Sequence, residues 1–550
     1  MKKILYKAIC IASLIGLTAC EKTFDELASN PNQQDVNGFY NTPQNINKGV
    51  IGIYAYITTP RAMGTAGRLQ INRGDESSDA SDYGVPGQYS ANLSSSWYTI
   101  VQPYSLFYTA ASQACQMIEE IPKVNFSNQQ LKNAYLGEAY FLRAYTHWFL
   151  FLNFRNIPLM KELPSSAKDY KPQATPEEAW DFIISDLKRA KELLPEKGFW
   201  TGESVGRVTK GSAIALLGKA YLYRSGIEHY YGHSNTTYYN EAAAEFNELI
   251  LSGKYRLVAD YNDNFKVATE NNDESIFELQ FLGDVTNTGF NPGLSNSGVW
   301  RDPRGYLPPT NKNANSSVIH DWVYNTFVNS KDASGHTDPR MFGTLIFDDT
   351  KSEINARTGD EVRIFDNKTF REYYGAKGFG VAKAQAKKYK AACRKGIDWT
   401  LATRNPGDNF YMWNGRANGL NQTEIRYADV LLMYAEAVVK GGTQGSLTAL
   451  DAVNQVRARV GMPAVSSVDM DVIEHERILE LTQEGHRFFD LLRWGKVAQR
   501  FHELERTDPN FKKYSNSAYL GFQENKNEWL PLPVDEVEGN PHITRNNPGW

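Results

Sequence analysis

Apolar residues recur every three or four positions along several stretches of the chain. Leu131, Tyr135 and Leu142 begin the clearest of these stretches, and this spacing lines one side of an α-helix. The pattern stops at Asn-Ile-Pro (156–158), because proline lacks a backbone donor and disfavours helical backbone in the residue before it. We therefore predict a long, heavily buried helix from Leu131 to just before residue 156.

A second helix is predicted directly after Thr175. Threonine is a good N-cap, Pro176 suits the first helical position, and Glu177 and Glu178 favour the positive end of the helix dipole. Further helices with the same apolar spacing are predicted at about 209–225, 239–251, 425–439, 446–460 and 472–482. Paired helices of this size resemble a tetratricopeptide-type array, although the consensus spacing of that repeat is absent. The fold class predicted is mostly α, with a TPR-like scaffold of four helix pairs formed from both ends of the chain.

The sequence pattern changes between residues 257 and 421. Asn, Gly, Asp and Pro punctuate short segments there, and helical periodicity is lost. The same stretch carries many aromatic residues, namely Trp300, Tyr306, Trp322, Trp399, Tyr411 and Trp413. We interpret it as an irregular, loop-rich α+β insert on the helical scaffold, the kind of segment in which binding residues concentrate.

The first twenty residues have the features of an export signal. Lys2, Lys3 and Lys7 precede an apolar run that is too short to span a bilayer stably. The order Leu-Thr-Ala-Cys at 17–20 resembles the bacterial lipobox, which predicts a cleaved leader (1–19), lipidation of Cys20 and a polar tether (20–40). The alternative is an ordinary secreted protein in which Cys20 is incidental.

Composition narrows the function classes. The chain has 550 residues, a formal net charge of −4 and 13% aromatic residues, including 31 Tyr and 11 Trp. Without a basic run or patch, nucleic-acid binding is disfavoured. Tyr and Trp combine a flat apolar face with a polar group, which suits flat, hydroxylated ligands. After removal of the leader and lipidation, Cys115 and Cys393 either form a disulfide or stay free.

Few motifs suggest catalysis or metal binding. His486 is flanked by acids and arginines, but the stretch offers no nucleophile, so we interpret Gly485 as a helix breaker and Asp490 and Arg493 as an ion pair. His229 and His233 have a zinc-compatible spacing without the glutamate of a metalloprotease motif. We predict no catalytic residue, no metal site and no cofactor, apart from the calcium alternative given below.

Several longer motifs resemble the SusD/RagB family of outer-membrane nutrient-binding lipoproteins. Each is typical of that family in order and spacing. They are Glu-Ala-Tyr-Phe-Leu-Arg-Ala-Tyr at 138–145, Arg-Val-Thr-Lys-Gly-Ser-Ala at 207–213, Ile-Arg-Tyr-Ala-Asp-Val-Leu-Leu-Met-Tyr-Ala-Glu-Ala at 425–437 and Glu-Gly-His-Arg-Phe-Phe-Asp-Leu-Leu-Arg-Trp-Gly at 484–495. The resemblance spans the chain, and the lipobox also fits it.

The resemblance implies a lipid-anchored, surface-exposed protein of the outer membrane without enzymatic activity. It implies capture of an extracellular oligosaccharide or polysaccharide and its delivery to a SusC-like TonB-dependent transporter. Two alternatives stay open, a peptide-binding member of the same family and a surface glycoside hydrolase. The expected regions are a helical N-terminal region (41–256), the insert (257–421) and a helical C-terminal region (422–550).

The resemblance also places ligand loops before the first long helix and in the irregular middle of the chain. In the first loop we select Asp75, Asp79, Tyr83, Tyr89 and Trp97 as candidate glycan contacts. Carboxylates accept hydrogen bonds from vicinal hydroxyls, and aromatic rings cover the apolar face of a sugar. A solvated loop without a ligand and a calcium site with oxygen ligands are the alternatives.

The second candidate segment is Trp-Arg-Asp-Pro-Arg-Gly-Tyr at 300–306. Trp300, Arg301 and Tyr306 combine an aromatic platform with a planar cationic donor, a set suited to hydroxyl or acidic groups. The alternative is a loop that only packs Trp300 onto the helices.

Overall fold

The computed structural model describes residues 36–59, 62–79, 89, 93–166, 169–232, 234–281, 317–364, 368–375, 390–396, 419–508, 511 and 521–550. The predicted leader, Cys20 and most of the tether lie outside these ranges. No helix in the described ranges is long and apolar enough to cross a membrane.

Helices dominate the N-terminal part of the chain, and each long helix packs against the next. The elements are α1 (Val36–Phe39), α2 (Pro43–Ile57), α3 (Met63–Asn72), β1 (Ser77–Asp79), α4 (Tyr98–Glu120), α5 (Gln129–Phe154), α6 (Pro176–Leu193), α7 (Lys210–Tyr230) and α8 (Tyr239–Leu251). Helices α5 to α8 confirm the helices predicted in this part of the chain. Helices α2 and α4 were not predicted, although they belong to the same array.

Local capping explains where the long helices begin and end. The Asn128 side chain accepts from the amide of Leu131 at the start of α5, and Arg155, with φ +56°, follows the last residue of this helix. Thr175 forms the capping box with Glu178 that opens α6. Almost every side chain of α5 from Ala134 onward is buried, as the apolar pattern predicts.

The irregular insert consists of short strands and helices. They are β2 (Ser275–Leu279), β3 (Ser317–Ile319), α9 (Asp321–Asn329), α10 (Arg340–Thr344), β4 (Leu345–Phe347), β5 (Arg363–Ile364), β6 (Lys368–Thr369), α11 (Phe370–Tyr374) and β7 (Ala391–Cys393). Strand β1 of the N-terminal part joins the insert in an antiparallel sheet with the order β1-β3-β7-β4. This sheet covers a small core that includes Val323, Phe327 and Leu345.

The C-terminal part returns to the helical scaffold. Its elements are β8 (Gln422–Arg426), α12 (Tyr427–Val439), α13 (Ala449–Arg459), α14 (Met470–Leu481), α15 (Arg487–Arg493), α16 (Val497–Thr507) and α17 (Val534–Gly539). Helix α12 packs on α8 and α13, and α15 packs on α7. The large core therefore includes residues from both ends of the chain, which confirms the predicted scaffold with an inserted irregular region.

The predicted start of the helix at Ile425 is wrong. The apolar run that starts at Ile425 begins in strand β8, and the helix starts only at Tyr427. Strand β8 pairs with β2, with Leu279 opposite Gln422, so a partner more than a hundred residues away decides the backbone of Gln422–Arg426. The predicted region boundaries at residues 41, 257 and 422 stay predictions.

The remaining structural expectations concern cysteines and the helix break at Gly485. Cys115 and Cys393 are buried and are not joined in a disulfide, so the disulfide alternative is wrong. Gly485 has φ +83° between α14 and α15, a conformation that glycine adopts without a steric penalty. Asp490 and Arg493 form the expected ion pair.

Candidate functional site

The sheet β1-β3-β7 brings together the described residues to which the two candidate segments are attached. In the antiparallel pair β1 and β3, Asp79 lies opposite Ser317. The chain after Asp79 and the chain before Ser317 therefore meet at the same end of the pair. Tyr83 follows Asp79 by four residues, while Trp300, Arg301 and Tyr306 precede Ser317; these four residues lie outside the described ranges.

A third aromatic segment starts at this same end of the sheet. Strand β7 pairs antiparallel with β3, with Val318 opposite Ala392. The chain that continues past Cys393 therefore leaves beside Ser317. The segment 397–418, which is also outside the described ranges, contains Trp399, Tyr411 and Trp413.

Strands β2 and β8 provide the other attachment point of the two insert segments. The chain after β2 and the chain before β8 leave from one end of this pair, where the amide of Phe281 donates to Asn421 Oδ1 at 2.8 Å. Segment 282–316 connects β2 to β3, and segment 397–418 connects β7, beside β3, to β8, beside β2. Both segments are therefore attached at the same two places on the scaffold. The two segments, which lie more than a hundred positions apart in the sequence, therefore have neighbouring attachment points.

Asp75 is placed in the core and not on a ligand-facing surface, which corrects its selection as a glycan contact. Its side chain is fully buried. The Nε atoms of Arg487 and Arg500 each lie 2.8 Å from one of its oxygens. Burial by itself would raise the pKa of Asp75, but the two guanidinium groups lower it to about 2. The carboxylate therefore holds the guanidinium groups of the two arginines in place through charged hydrogen bonds.

Tyr89 also belongs to the core and needs the same correction. Only 4% of the residue is exposed. Its hydroxyl donates to the carbonyl of Arg73 at 2.8 Å, and its ring meets those of Phe501 and Phe522 edge-on. Tyr89 therefore holds one end of the segment 80–88, while strand β1 holds the other end.

Trp97 and Asp79 lie at element boundaries. Trp97 caps α4, where its carbonyl accepts from the amides of Ile100 and Val101, and its half-buried ring lies beside Tyr98 with centroids 5.8 Å apart. The backbone of Asp79 ends strand β1. Trp97 is therefore partly accessible at the start of a helix in the N-terminal array.

Two residues near Asp75 were not selected from the sequence. Trp322 of α9 is half-buried, and its indole N–H donates to the carbonyl of Asp75 at 2.7 Å. Glu76 is buried next to Asp75, and burial together with the Asp75 charge raises the pKa of Glu76 to about 8. The aromatic content of the insert pointed to Trp322, whereas no local signal distinguished Glu76 from a surface acid.

The buried acids and His486 do not form an accessible catalytic arrangement. Asp75 and Glu76 are both enclosed, so neither carboxylate can reach a glycosidic bond in this conformation. His486 is also buried, and burial together with the nearby Lys219 charge lowers its pKa to about 4. In the described ranges no three His, Cys, Asp or Glu side chains are grouped as metal ligands would be. His233 and the acids of 80–88 lie outside those ranges.

Two family models match this sequence, one in its N-terminal part and one in its C-terminal part. A model described as "SusD family" matches residues 273–550. A second model, described as "Starch-binding associating with outer membrane", matches residues 26–222. Together they cover the chain except for residues 1–25 and 223–272.

Individual relatives align with most or all of this chain. SusD-like protein P2 of Formosa agariphila is 25% identical over 587 aligned residues and covers 100% of each chain. A SusD-like protein of Bacteroides ovatus is 24% identical, covering 78% of this chain and 72% of its own.

Solved structures share the fold at lower identity. A SusD superfamily protein of Bacteroides vulgatus has a TM-score of 0.70 at 24% identity, covering 93% of this chain and 100% of its own. Surface glycan-binding protein A of Bacteroides thetaiotaomicron, solved with laminarihexaose, has a TM-score of 0.68 at 19% identity and covers 92% and 99%. Because the SusD family model alone matches just over half of the sequence, this chain belongs to the SusD family.

Proposed function

We propose that this protein binds an extracellular oligosaccharide or polysaccharide at the cell surface and delivers it to a TonB-dependent outer-membrane transporter. The observation that carries the binding proposal is the common attachment, at one end of the sheet β1-β3-β7, of three segments that each carry aromatic residues or, in the first, Tyr83. Family membership supports the ligand class, since one structural neighbour is a laminarin-binding SusD-like protein and another was solved with laminarihexaose.

The proposed mechanism is binding without chemical change to the ligand. Tyr83, Trp300 and Tyr306 supply aromatic faces for sugar rings, and Asp79 and Arg301 orient hydroxyl groups. Tyr83 lies four residues beyond Asp79, so its Cα stays within about 14 Å of the sheet end. Because polar groups exchange water for ligand at a small net gain, affinity for a short oligosaccharide is expected to be modest. Repeated contacts along a polymer raise it.

Trp97 remains a proposed contact at the start of α4, whereas Asp75 and Tyr89 take supporting roles. Asp75 holds two arginines, and Tyr89 anchors the segment that carries Tyr83. Both roles position the binding loops without touching the ligand.

The proposed location is the outer leaflet of the outer membrane, with Cys20 as the lipid anchor. The sixteen residues from Cys20 to the start of α1 span at most about 55 Å when extended. That reach holds the scaffold near the membrane while leaving it free to engage a membrane-embedded transporter. Two or three acyl chains provide durable anchorage, and the outer-membrane association in the description of one matching family model supports the location.

A glycan array probed with soluble protein lacking residues 1–20 tests the ligand class. We expect retention on at least one class of polysaccharide and no release of reducing ends during incubation. Binding of peptides with no glycan retained would favour the peptide-binding alternative, and release of reducing ends would favour the hydrolase.

Single substitutions then test the proposed contacts. We expect Trp300→Ala and Tyr83→Ala each to weaken glycan binding about tenfold, which corresponds to about 1.4 kcal/mol, because each removes an aromatic face. Tyr170→Ala is the matched control, since Tyr170 is an exposed tyrosine on the N-terminal scaffold. Titration calorimetry measures the affinities. Wild-type affinity in both candidate variants would contradict the assignment of these residues.

A further inference from the structure

A cleft of about 370 Å³ opens between α14, α15 and α16, beside the indole of Trp322. None of the described side chains that line it was selected as a candidate contact from the sequence. The volume is within the range of about 300–1,000 Å³ that is usual for small-ligand sites. The described lining residues are different from the residues proposed above as glycan contacts.

Ion pairs hold the cationic groups of this cleft in place. Asp75 lies behind it and accepts from Arg487 and Arg500. Glu474 accepts from Arg487 at 2.9 Å and from Lys496 at 2.7 Å. These contacts restrict the rotamers of the three basic side chains before any ligand arrives, which lowers the entropic cost of binding.

Trp322 provides an aromatic wall of fixed orientation. Its indole N–H is bonded to the carbonyl of Asp75, and the guanidinium of Arg500 lies 4.5 Å from the ring centroid. The residue is only half-buried, so part of the ring faces the cleft. An aromatic surface with adjacent hydrogen-bonding groups suits a ligand with one apolar face and a polar edge.

Other polar side chains of the cleft have unused hydrogen-bonding capacity. Asp471, His475 and Gln499 are exposed lining residues, and within the described part of the chain their side chains make no hydrogen bond. Partial desolvation in the cleft lowers the pKa of His475, which favours the neutral imidazole with one donor and one acceptor. The cleft therefore presents both donors and acceptors to a ligand.

The charges of the lining residues balance. Three acids face three bases, namely Asp471, Glu474 and Glu503 against Arg487, Lys496 and Arg500. A strongly anionic ligand would meet the three carboxylates, and a cationic ligand would meet the three basic groups. Hydroxyl groups both donate and accept, so a neutral polyhydroxylated ligand makes use of both sets.

We propose that this cleft is a second oligosaccharide-binding site, specific for neutral sugars, with Trp322 as the stacking surface and Gln499 as a hydroxyl contact. The inference rests on the proposed glycan-binding function and adds a site to it. Two sites on one chain increase retention on a polymer through avidity, provided that the polymer reaches both.

Titration calorimetry with soluble protein lacking residues 1–20 tests the proposal. The probes are neutral hexasaccharides of glucose, mannose and xylose at millimolar concentration. We expect two binding events for at least one probe. Trp322→Ala and Gln499→Ala each weaken one event about tenfold and leave at wild-type affinity the other event, which Trp300→Ala weakens. Gln499 is exposed, so its variant tests the contact without disturbing the core, and Arg506→Ala is the control on an exposed position of the same helix.

The outcomes separate this inference from the proposed function. A single binding event that Trp300→Ala weakens, and that both cleft variants keep at wild-type affinity, would overturn the second site alone. Absence of binding of every probe and of every glycan on the array would overturn both. Loss of one event in both cleft variants, with wild-type behaviour of Arg506→Ala, supports the second site.

Discussion

Asp75 and Glu76 are neighbours in the chain and are both buried, yet their carboxyl groups hold opposite protonation states at neutral pH. Burial raises the pKa of both. Arg487 and Arg500 contact Asp75 directly and lower its pKa to about 2, whereas the pKa of Glu76 rises to about 8 beside the Asp75 charge. The partner of each carboxyl group, and not its place in an acidic stretch, determines its charge.

The raised pKa of Glu76 predicts a pH-dependent stability. The folded chain keeps this proton up to about pH 8, while the unfolded chain loses it near pH 4.5, so the free energy of unfolding falls as pH rises between these values. Glu76→Gln cannot lose a proton. We therefore expect its stability relative to wild type to increase with pH, by up to about 1.4 kcal/mol per unit in this window.

Urea unfolding at pH 5, 6, 7 and 8 measures this effect. Glu192→Gln, at an exposed position on α6, is the control and should differ from wild type by the same amount at every pH. A difference between Glu76→Gln and wild type that does not change with pH would contradict the buried, protonated state of Glu76.

At the scale of elements, close helix crossings depend on glycine. A Cβ atom on Gly226 of α7 would overlap the backbone carbonyl of Arg493 at the end of α15. A Cβ on Gly52 of α2 would meet only Gln113, at 4.0 Å. The two glycines occupy helices of the same scaffold but differ in what lies beside them.

This difference predicts opposite effects of one substitution. Gly226→Ala should lower the free energy of unfolding by about 1–3 kcal/mol, because the backbone at the crossing has to shift. Gly52→Ala should raise it by about 0.5–1 kcal/mol through the better helix propensity of alanine. Denaturant unfolding of both variants measures the two signs. A stabilising Gly226→Ala would contradict the close packing of α7 on α15.

Element boundaries show which parts of the fold could be predicted locally. Thr175 and its capping box were visible in the sequence, and α6 begins where they indicate. The start of α12 was misplaced because β8 is specified by pairing with β2, and local periodicity carries no information about a distant strand. Helix α4 was missed although its inward side is apolar, since Pro103 lies inside it and proline is read as a helix breaker.

At the scale of the molecule, a buried network of ion pairs joins the insert to the scaffold. Arg340 of α10 bonds to Asp338 at 2.7 Å and to Glu476 and Glu480 of α14 at 2.5 and 3.0 Å, all four side chains being fully buried. Burial would raise the pKa of Glu480, but Arg459, Arg426 and Arg340 hold it well below its ordinary value. The network therefore fixes the position of the insert on the helices.

Breaking this network is expected to cost far more than breaking a surface pair. Arg340→Met removes the cationic partner of the buried Asp338 carboxylate, although Glu476 keeps Arg457 and Glu480 keeps Arg426 and Arg459. The uncompensated buried charge should destabilise the chain by about 3–5 kcal/mol. Arg189→Ala removes the exposed pair with Glu192 and should cost at most about 1 kcal/mol. Thermal and denaturant unfolding compare the two. Equal losses would contradict a structural role of the buried network.

The candidate binding residues also separate what the sequence predicts from what tertiary contacts decide. Their types were chosen because aromatic rings and carboxylates suit sugars, but residue type does not encode accessibility. Asp75 and Tyr89 are buried because Arg487, Phe501 and Phe522 approach them from the other end of the chain. Trp322 was noticed as an aromatic residue of the insert, yet its cleft exists only where α9 meets α14, α15 and α16.

The amino-acid sequence by itself determined the helical scaffold, the position of the irregular insert and the family of this protein, because periodicity, caps and motifs are local or linear signals. Only the tertiary structure decided which acids are buried, which strands set helix starts and where the aromatic segments attach. Those properties depend on contacts between residues hundreds of positions apart, such as Asp75 with Arg487, and no short stretch of sequence contains both partners.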